Sequence, residues 1–233
     1  MELNLNGGVL IIGSLLWDVN EIRKKLRNSI LNVDQKCYVS APIRYGKISV
    51  SREETYTMVF SKGCDKEETL GTACFIPFKD VIKNTEMLME ISHETIKAEQ
   101  NKTELPNQRF NWGWGCLGIL INPEWKKNEQ NYKSLLNFWS LNFGSRFNIK
   151  EYLVGDEKSI LNSNGELEFH WPKELTDYDF LIATATKPMI NFYPSSEEIA
   201  KLMIHKGYFQ YFEENRNVGI KTFQDSEIFK QEQ

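Results

Sequence analysis

The chain is poor in the residue types that mark metal, disulfide and membrane chemistry. It holds four cysteines in 233 residues, with no Cys-x-x-Cys pair, and only three histidines. That excludes the usual zinc spacings and gives no disulfide framework. No run of eighteen apolar residues occurs, so no transmembrane helix is expected. The opening Met1-Glu2-Leu3-Asn4-Leu5-Asn6 has no basic segment ahead of an apolar one, so no signal peptide is expected and a reducing cytoplasm is the expected compartment. Positive charge is not in excess either. Twenty-eight basic against thirty-two acidic side chains leave a net charge of −4, which argues against a nucleic-acid binder. The compact basic cluster, Arg23-Lys24-Lys25 with Arg27, falls on a predicted helix and reads as a solvated face. There is no internal repeat, low-complexity tract or clear linker.

What the chain does contain is ordinary material for a globular core, with 41% hydrophobic and 12% aromatic residues. Val9 to Ile12 is a short apolar run that reads as a buried strand, ended by Gly13-Ser14. A short helix follows over 19–26, with Asp18 as its expected cap. Residues 36–51, broken at Pro42 and Gly46, then 55–61 and 70–76, read as strands. From Asp80 to about Gln100 the pattern is helical, and Val81, Leu88, Ile91, Thr95 and Ala98 share one face. Residues 112–121 and 180–186 read as strands. Residues 131–143 read as an amphipathic helix, and Ser195 or Ser196 as the cap of another over 197–205. Strands and helices mix without strict alternation, which predicts an α+β arrangement.

Several residues bear chemistry. A strand ending in Gly13-Ser14 turns with exposed N–H groups that suit a carbonyl or carboxylate oxygen. Glu94 and Glu99 border the apolar face of the helix over 80–100, one on each side, and periodicity does not separate them. Arg44, Ser49, Ser51 and Arg52 cluster along the second strand region, where an arginine suits a carboxylate. Cys116 lies in an apolar strand, and none of His93, His170 or His205 is placed beside it by a motif, so it reads as core. Phe110, Trp112 and Trp114 suit either ligand stacking or packing.

Taken in order, Ile12-Gly13-Ser14-Leu15-Leu16-Trp17, then Pro42-Ile43-Arg44-Tyr45 with Ser49, Ser51 and Arg52, then Thr55 to Phe60 and Gly71-Thr72-Ala73, then a helix and another strand, resemble the gamma-glutamylcyclotransferase-like superfamily (ChaC/AIG2-like) over roughly residues 8–122. The resemblance implies a small mixed β-barrel with flanking helices over residues 1–125. Residues 126–233 would form a C-terminal α/β extension packed on it. It implies cleavage of a γ-glutamyl amide by attack of the substrate's own α-amine on its γ-carbonyl, releasing 5-oxoproline without metal or cofactor. A glutamate would act as general base and acid. The family places that glutamate at the C-terminal end of the helix, which selects Glu99 and keeps Glu94 in reserve. Gly13, Ser14, Leu15, Arg44, Ser51 and Arg52 are the implied substrate-binding residues. The implied partner is a small γ-glutamyl compound, with neither nucleic acid nor membrane involved. Ile12 stands where the family carries a tyrosine, which fits the alternative of a small-molecule-binding or regulatory protein that keeps the fold without the reaction.

Overall fold

The computed structural model describes residues 2–105, 114–144 and 148–231. It is an α+β molecule built on a five-stranded mixed sheet. Strand β1 (Glu2–Leu5) precedes β2 (Gly7–Ile11), whose five residues are all buried. A strand so uniformly apolar needs neighbours on both edges and cover on both faces, and β2 has them. It pairs antiparallel with β6 (Gly71–Pro77), Val9 opposite Ile76, and parallel with β9 (Phe180–Thr186), Val9 opposite Ile182. Strand β3 (Cys37–Ala41) adds to β6, and β8 (Gly115–Ile121) adds antiparallel to β9, giving the order β3-β6-β2-β9-β8.

The division expected at residue 125 runs through this sheet. Strand β9 comes from the second half of the chain, yet it lies between β2 and β8 from the first. The expected barrel is corrected, since the described strands close no barrel. Pro42 has no N–H to donate and separates β3 from β4 (Ile43–Ser49). Strand β4 then leaves the main sheet to form a hairpin with β5 (Thr55–Phe60). The register shifts between Tyr45 and Lys47, so Gly46 is the extra residue of a bulge that bends the strand there. A Cβ on Gly46 would lie 2.5 Å from Val59 Cγ2, which accounts for glycine at that point.

Helix α1 (Glu21–Ser29) is capped by Asn20, whose side chain accepts from the Ile22 N–H, and not by Asp18 as expected. The long helix starts later than its periodicity suggests. Residues Ile82–Asn84 form β7, paired with β1, and the Asn84 side chain caps α2 (Thr85–Gln100). Its buried face carries Leu88, Ile91, Thr95 and Ala98 as the spacing predicts, together with Ser92 and Ile96. Two further helices, α3 (Pro123–Lys126) and α4 (Glu129–Asn142), precede β9. After it come α5 (Ser196–Lys206), with a full capping box between Ser195 and Glu198, then α6 (Gln210–Asn217) and α7 (Asp225–Gln231). No helix among the described residues is long and apolar enough to cross a membrane.

Candidate functional site

The turn that ends β2, the C-terminus of α2, the β4–β5 hairpin, the end of β9 and one face of α6 surround a cavity of about 510 Å³. The parallel register of β2 and β9 explains part of this. Leu10 sits beside Ala183, so Thr184 and Thr186 reach the same end of the sheet as Gly13 and Ser14.

Arg23, on α1, fastens the turn to the helix. Its Nη1 donates to Ser14 Oγ at 3.0 Å and to Asp18 Oδ2 at 2.6 Å. Its Nε donates to the Ala98 carbonyl at 3.1 Å and its Nη2 to the Glu99 carbonyl at 3.3 Å. The last carbonyls of a helix lack the full set of intrahelical donors, so Arg23 supplements the long 3.4 Å bond from the Asn101 N–H to the Ala98 carbonyl, adds a donor at the Glu99 carbonyl and meets the negative end of the helix dipole. Four residues along, Arg27 performs the same service for the Leu15 and Asp18 carbonyls, and its enclosure lowers its pKa. The basic cluster is therefore not a wholly solvated face. Arg23 and Arg27 share the inward side of the helix at i,i+4 spacing, while the Lys24 and Lys25 side chains stay in solvent.

Asp18 lies between two arginines, with Arg52 Nη2 3.4 Å from the same Oδ2. The three side chains are largely enclosed, at 24% exposure for Asp18, 11% for Arg23 and 17% for Arg52. Burial alone would raise the Asp18 carboxyl. The Asn20 N–H and the two guanidinium groups overcome it and hold Asp18 below the ordinary aspartate value. Arg52 also lies over the rings of Trp17 and Tyr211, at 5.1 and 5.8 Å.

Glu99 lines the cavity and goes the other way. Enclosure by protein raises its pKa, against the lowering influence of Arg23, a hydrogen bond from Thr184 and the charge of Lys47. Lys47 reaches the same space from β4. It is 8% exposed, and desolvation together with the nearby Lys187 brings its amine down to about 8, against the pull of Glu99.

Tyr211, on α6, closes the opposite wall. Its hydroxyl accepts from the Met58 N–H at 3.3 Å, and enclosure pushes its pKa up to about 12. The same oxygen would stand 2.7 Å from a Cβ on Gly13, so the turn carries glycine because a tyrosine from the far end of the chain lies against it.

Of the residues singled out from the sequence, Gly13, Ser14, Ser49, Ser51, Arg52 and Glu99 line this one cavity, as does Trp114. Ser49 and Ser51 share a hydrogen bond at 3.2 Å. Three do not line it. Arg44 stacks over the Tyr193 ring at 4.1 Å, on the other side of the hairpin. The Leu15 side chain is buried in the core, with its carbonyl taken by Arg27. Glu94 opens onto a separate groove between α2 and α4, where Lys97 at 2.6 Å and Lys25 at 3.6 Å overcome the raising effect of burial and keep its pKa low. Cys116 is buried on β8 against Tyr152, and its thiol is pushed up to about 12. Phe110 and Trp112 lie outside the described residues. Asp18, Arg23, Lys47, Thr184 and Tyr211 were not legible as site residues. Among the described residues, no three His, Cys, Asp or Glu side chains converge as metal ligands.

The site is thus a polar cavity holding one carboxylate neutralised by two arginines and a second whose proton is held more tightly than usual. Comparison of the chain with protein-family models, with curated proteins and with solved structures finds no match.

Proposed function

We propose that the chain is a cofactor-free cyclotransferase, similar to the gamma-glutamylcyclotransferase-like superfamily, that releases 5-oxoproline from a γ-glutamyl amide. The observation that carries this reading is the convergence of Glu99, with its raised pKa, on the cavity bordered by Gly13 and Ser14. In the reaction, the substrate's α-ammonium must lose a proton before it can attack. A carboxylate with a raised pKa is a stronger base for that step than an ordinary surface glutamate. The attacking amine is tethered to its own electrophile, so the protein's task is to hold one folded conformer. Arg52 suits the α-carboxylate, since its contact with Asp18 is the looser one, at 3.4 Å against 2.6 Å for Arg23, and Arg23 is also committed to the turn and the helix end. The N–H groups of Gly13 and Ser14 suit the oxygen on which charge develops.

Ile12 also lines the cavity and favours the second reading, a small-molecule-binding protein without the reaction. The Tyr211 hydroxyl weighs against it, because it brings a phenol to the same turn from α6.

The test is release of 5-oxoproline from a panel of γ-glutamyl amino acids, peptides and amines, read by mass spectrometry. Glu99→Gln is expected to lower release by at least about 100-fold, the scale of a lost general base, with Glu94→Gln near wild type. Loss in Glu94→Gln but not in Glu99→Gln would remove the assignment. Binding of a γ-glutamyl compound by a wild-type protein that releases nothing would establish the second reading.

A further inference from the structure

We propose that Lys47 is the second proton-transfer group of this reaction, an inference that rests on the cyclotransferase reading. The geometry is that of a buried ammonium with unused donors beside the base. Lys47 carries three N–H donors and, among the described residues, makes one hydrogen bond, to the Trp114 carbonyl at 3.3 Å. No carboxylate among the described residues lies within ion-pair distance of it, so Glu99 acts on it through space and not by contact. Its remaining donors are left for whatever occupies the cavity that both residues line. A buried ammonium without a carboxylate partner is costly to keep for structure alone. The charged and titratable groups lining that space with Lys47 are Glu99 from α2, Lys102 just after it, Arg23 from α1, Asp18 from the turn, Arg52 after β4 and Tyr211 from α6, and Lys187 beyond β9 acts on Lys47 from nearby. Lys187 is itself paired with Glu151 at 2.7 Å, and Asp18 with the two arginines.

The chemistry has a place for such a group. The substrate's α-nitrogen begins as an ammonium and ends as a ring amide N–H, so it loses two protons. The departing nitrogen gains one. Glu99 takes the first proton, and the free amine forms the new C–N bond at the γ-carbon. The Lys47 ammonium then gives a proton to the departing nitrogen as the old C–N bond breaks. The neutral Lys47 amine recovers the surplus proton from the ring nitrogen. Lys47 is restored, and the proton on Glu99 passes to water or to the released amine. An amine held near a pKa of about 8 can run in both directions close to neutrality.

The experiment measures kcat and KM for 5-oxoproline release against pH in wild type, Lys47→Arg and Lys47→Met. It is paired with a 13C NMR titration of lysine side chains in which Lys47→Met assigns the Lys47 signal. The expected wild-type profile falls on the basic side near pH 8, where the Lys47 signal also titrates. Lys47→Arg keeps the charge but cannot release its proton, so kcat falls as in Lys47→Met and the basic limb near pH 8 is lost. Lys47→Met lowers kcat by about 100-fold while KM changes little. An unchanged kcat in Lys47→Arg or in Lys47→Met, or a Lys47 signal titrating near 10.5 with an active wild type, overturns the relay alone. A wild type that releases no 5-oxoproline overturns the cyclotransferase reading, and the relay with it. If Lys47→Met fails to fold, the kcat of Lys47→Arg decides, with a loss supporting the relay and an unchanged value overturning it.

Discussion

Gly13→Ala is expected to destabilise the protein only while Tyr211 keeps its hydroxyl. The backbone at Gly13 is not in the left-handed region, so alanine is permitted there on conformational grounds. What it meets is the Tyr211 oxygen at 2.7 Å, inside any normal carbon–oxygen contact. Tyr211 cannot simply rotate away, because it is buried and its hydroxyl accepts from the Met58 N–H. The turn must shift or that hydrogen bond must lengthen. Overpacking of this kind costs about 1–3 kcal/mol. Replacing glycine by alanine returns about 0.4–1 kcal/mol by restricting the unfolded chain. The net expectation is a loss of about 1–2 kcal/mol. Tyr211→Phe alone strands the Met58 N–H and costs about 1–2 kcal/mol. In that background the nearest remaining ring atom is 3.6 Å from the new methyl group, an ordinary contact. Gly13→Ala should then be neutral or slightly stabilising. The four proteins make a double-mutant cycle, read by urea denaturation, with a coupling of about 2 kcal/mol. An equal cost for Gly13→Ala in both backgrounds would refute the claim that the tyrosine dictates the glycine.

Two further expectations concern the cavity carboxylates. Glu99→Gln should be more stable than wild type at pH 7. The folded pKa of Glu99 is raised, so its contribution to stability is complete below the ordinary value of 4.5 and declines as pH rises toward the folded value. The gap between mutant and wild type should therefore open above pH 4.5, by at most about 1.4 kcal/mol per pH unit, and close below it in thermal melts. An ever-present gap would mean that Glu99 is not destabilised by ionisation. Asp18→Asn should cost about 2 kcal/mol at neutral pH, the scale of hydrogen bonds to a charged partner. Here the folded pKa is depressed, so the stabilisation is present above 3.8 and fades as pH falls below it. A cost that persists unchanged in urea melts at about pH 2–3 would show that shape, and not charge, is what Asp18 provides.

Local pattern carried the sequence reading a good distance. The apolar run of β2, the Gly13-Ser14 turn, the buried face of α2 and the capping box at Ser195 are each encoded by neighbouring residues, and each is present. The cavity was half legible for the same reason: Ser14, Ser51, Arg52 and Glu99 sit at the ends of elements that the pattern could place. What escaped depends on pairing between distant parts of the chain. Nothing in Phe180 to Thr186 announces that this strand inserts beside β2, because its composition suits any buried position. Tyr211 meets Gly13 across nearly two hundred residues. Arg23 and Arg27 were hidden in a run of charge, where the i,i+4 pair facing inward looks the same as the lysines facing out. Arg44, which the resemblance implied as a substrate-binding residue, lies over Tyr193 instead, since the pattern of a strand gives its two faces but not which of them meets the cavity.

The electrostatics of the cavity argue for chemistry over plain binding on one further ground. Two carboxylates line the same space, and their surroundings displace them in opposite directions, Asp18 down and Glu99 up. Asp18 is held by Arg23 at 2.6 Å and by Arg52 at 3.4 Å, and it fixes the turn. Glu99 is left as the lining carboxylate, with no salt bridge among the described residues to hold its proton off. That division separates a structural acid from a titrating one, and a separation of this kind is how one site assigns distinct proton-transfer roles to identical groups. It predicts that Asp18→Asn harms stability more than the chemical step, and that Glu99→Gln does the reverse. A ligand-binding cavity would show no such crossover.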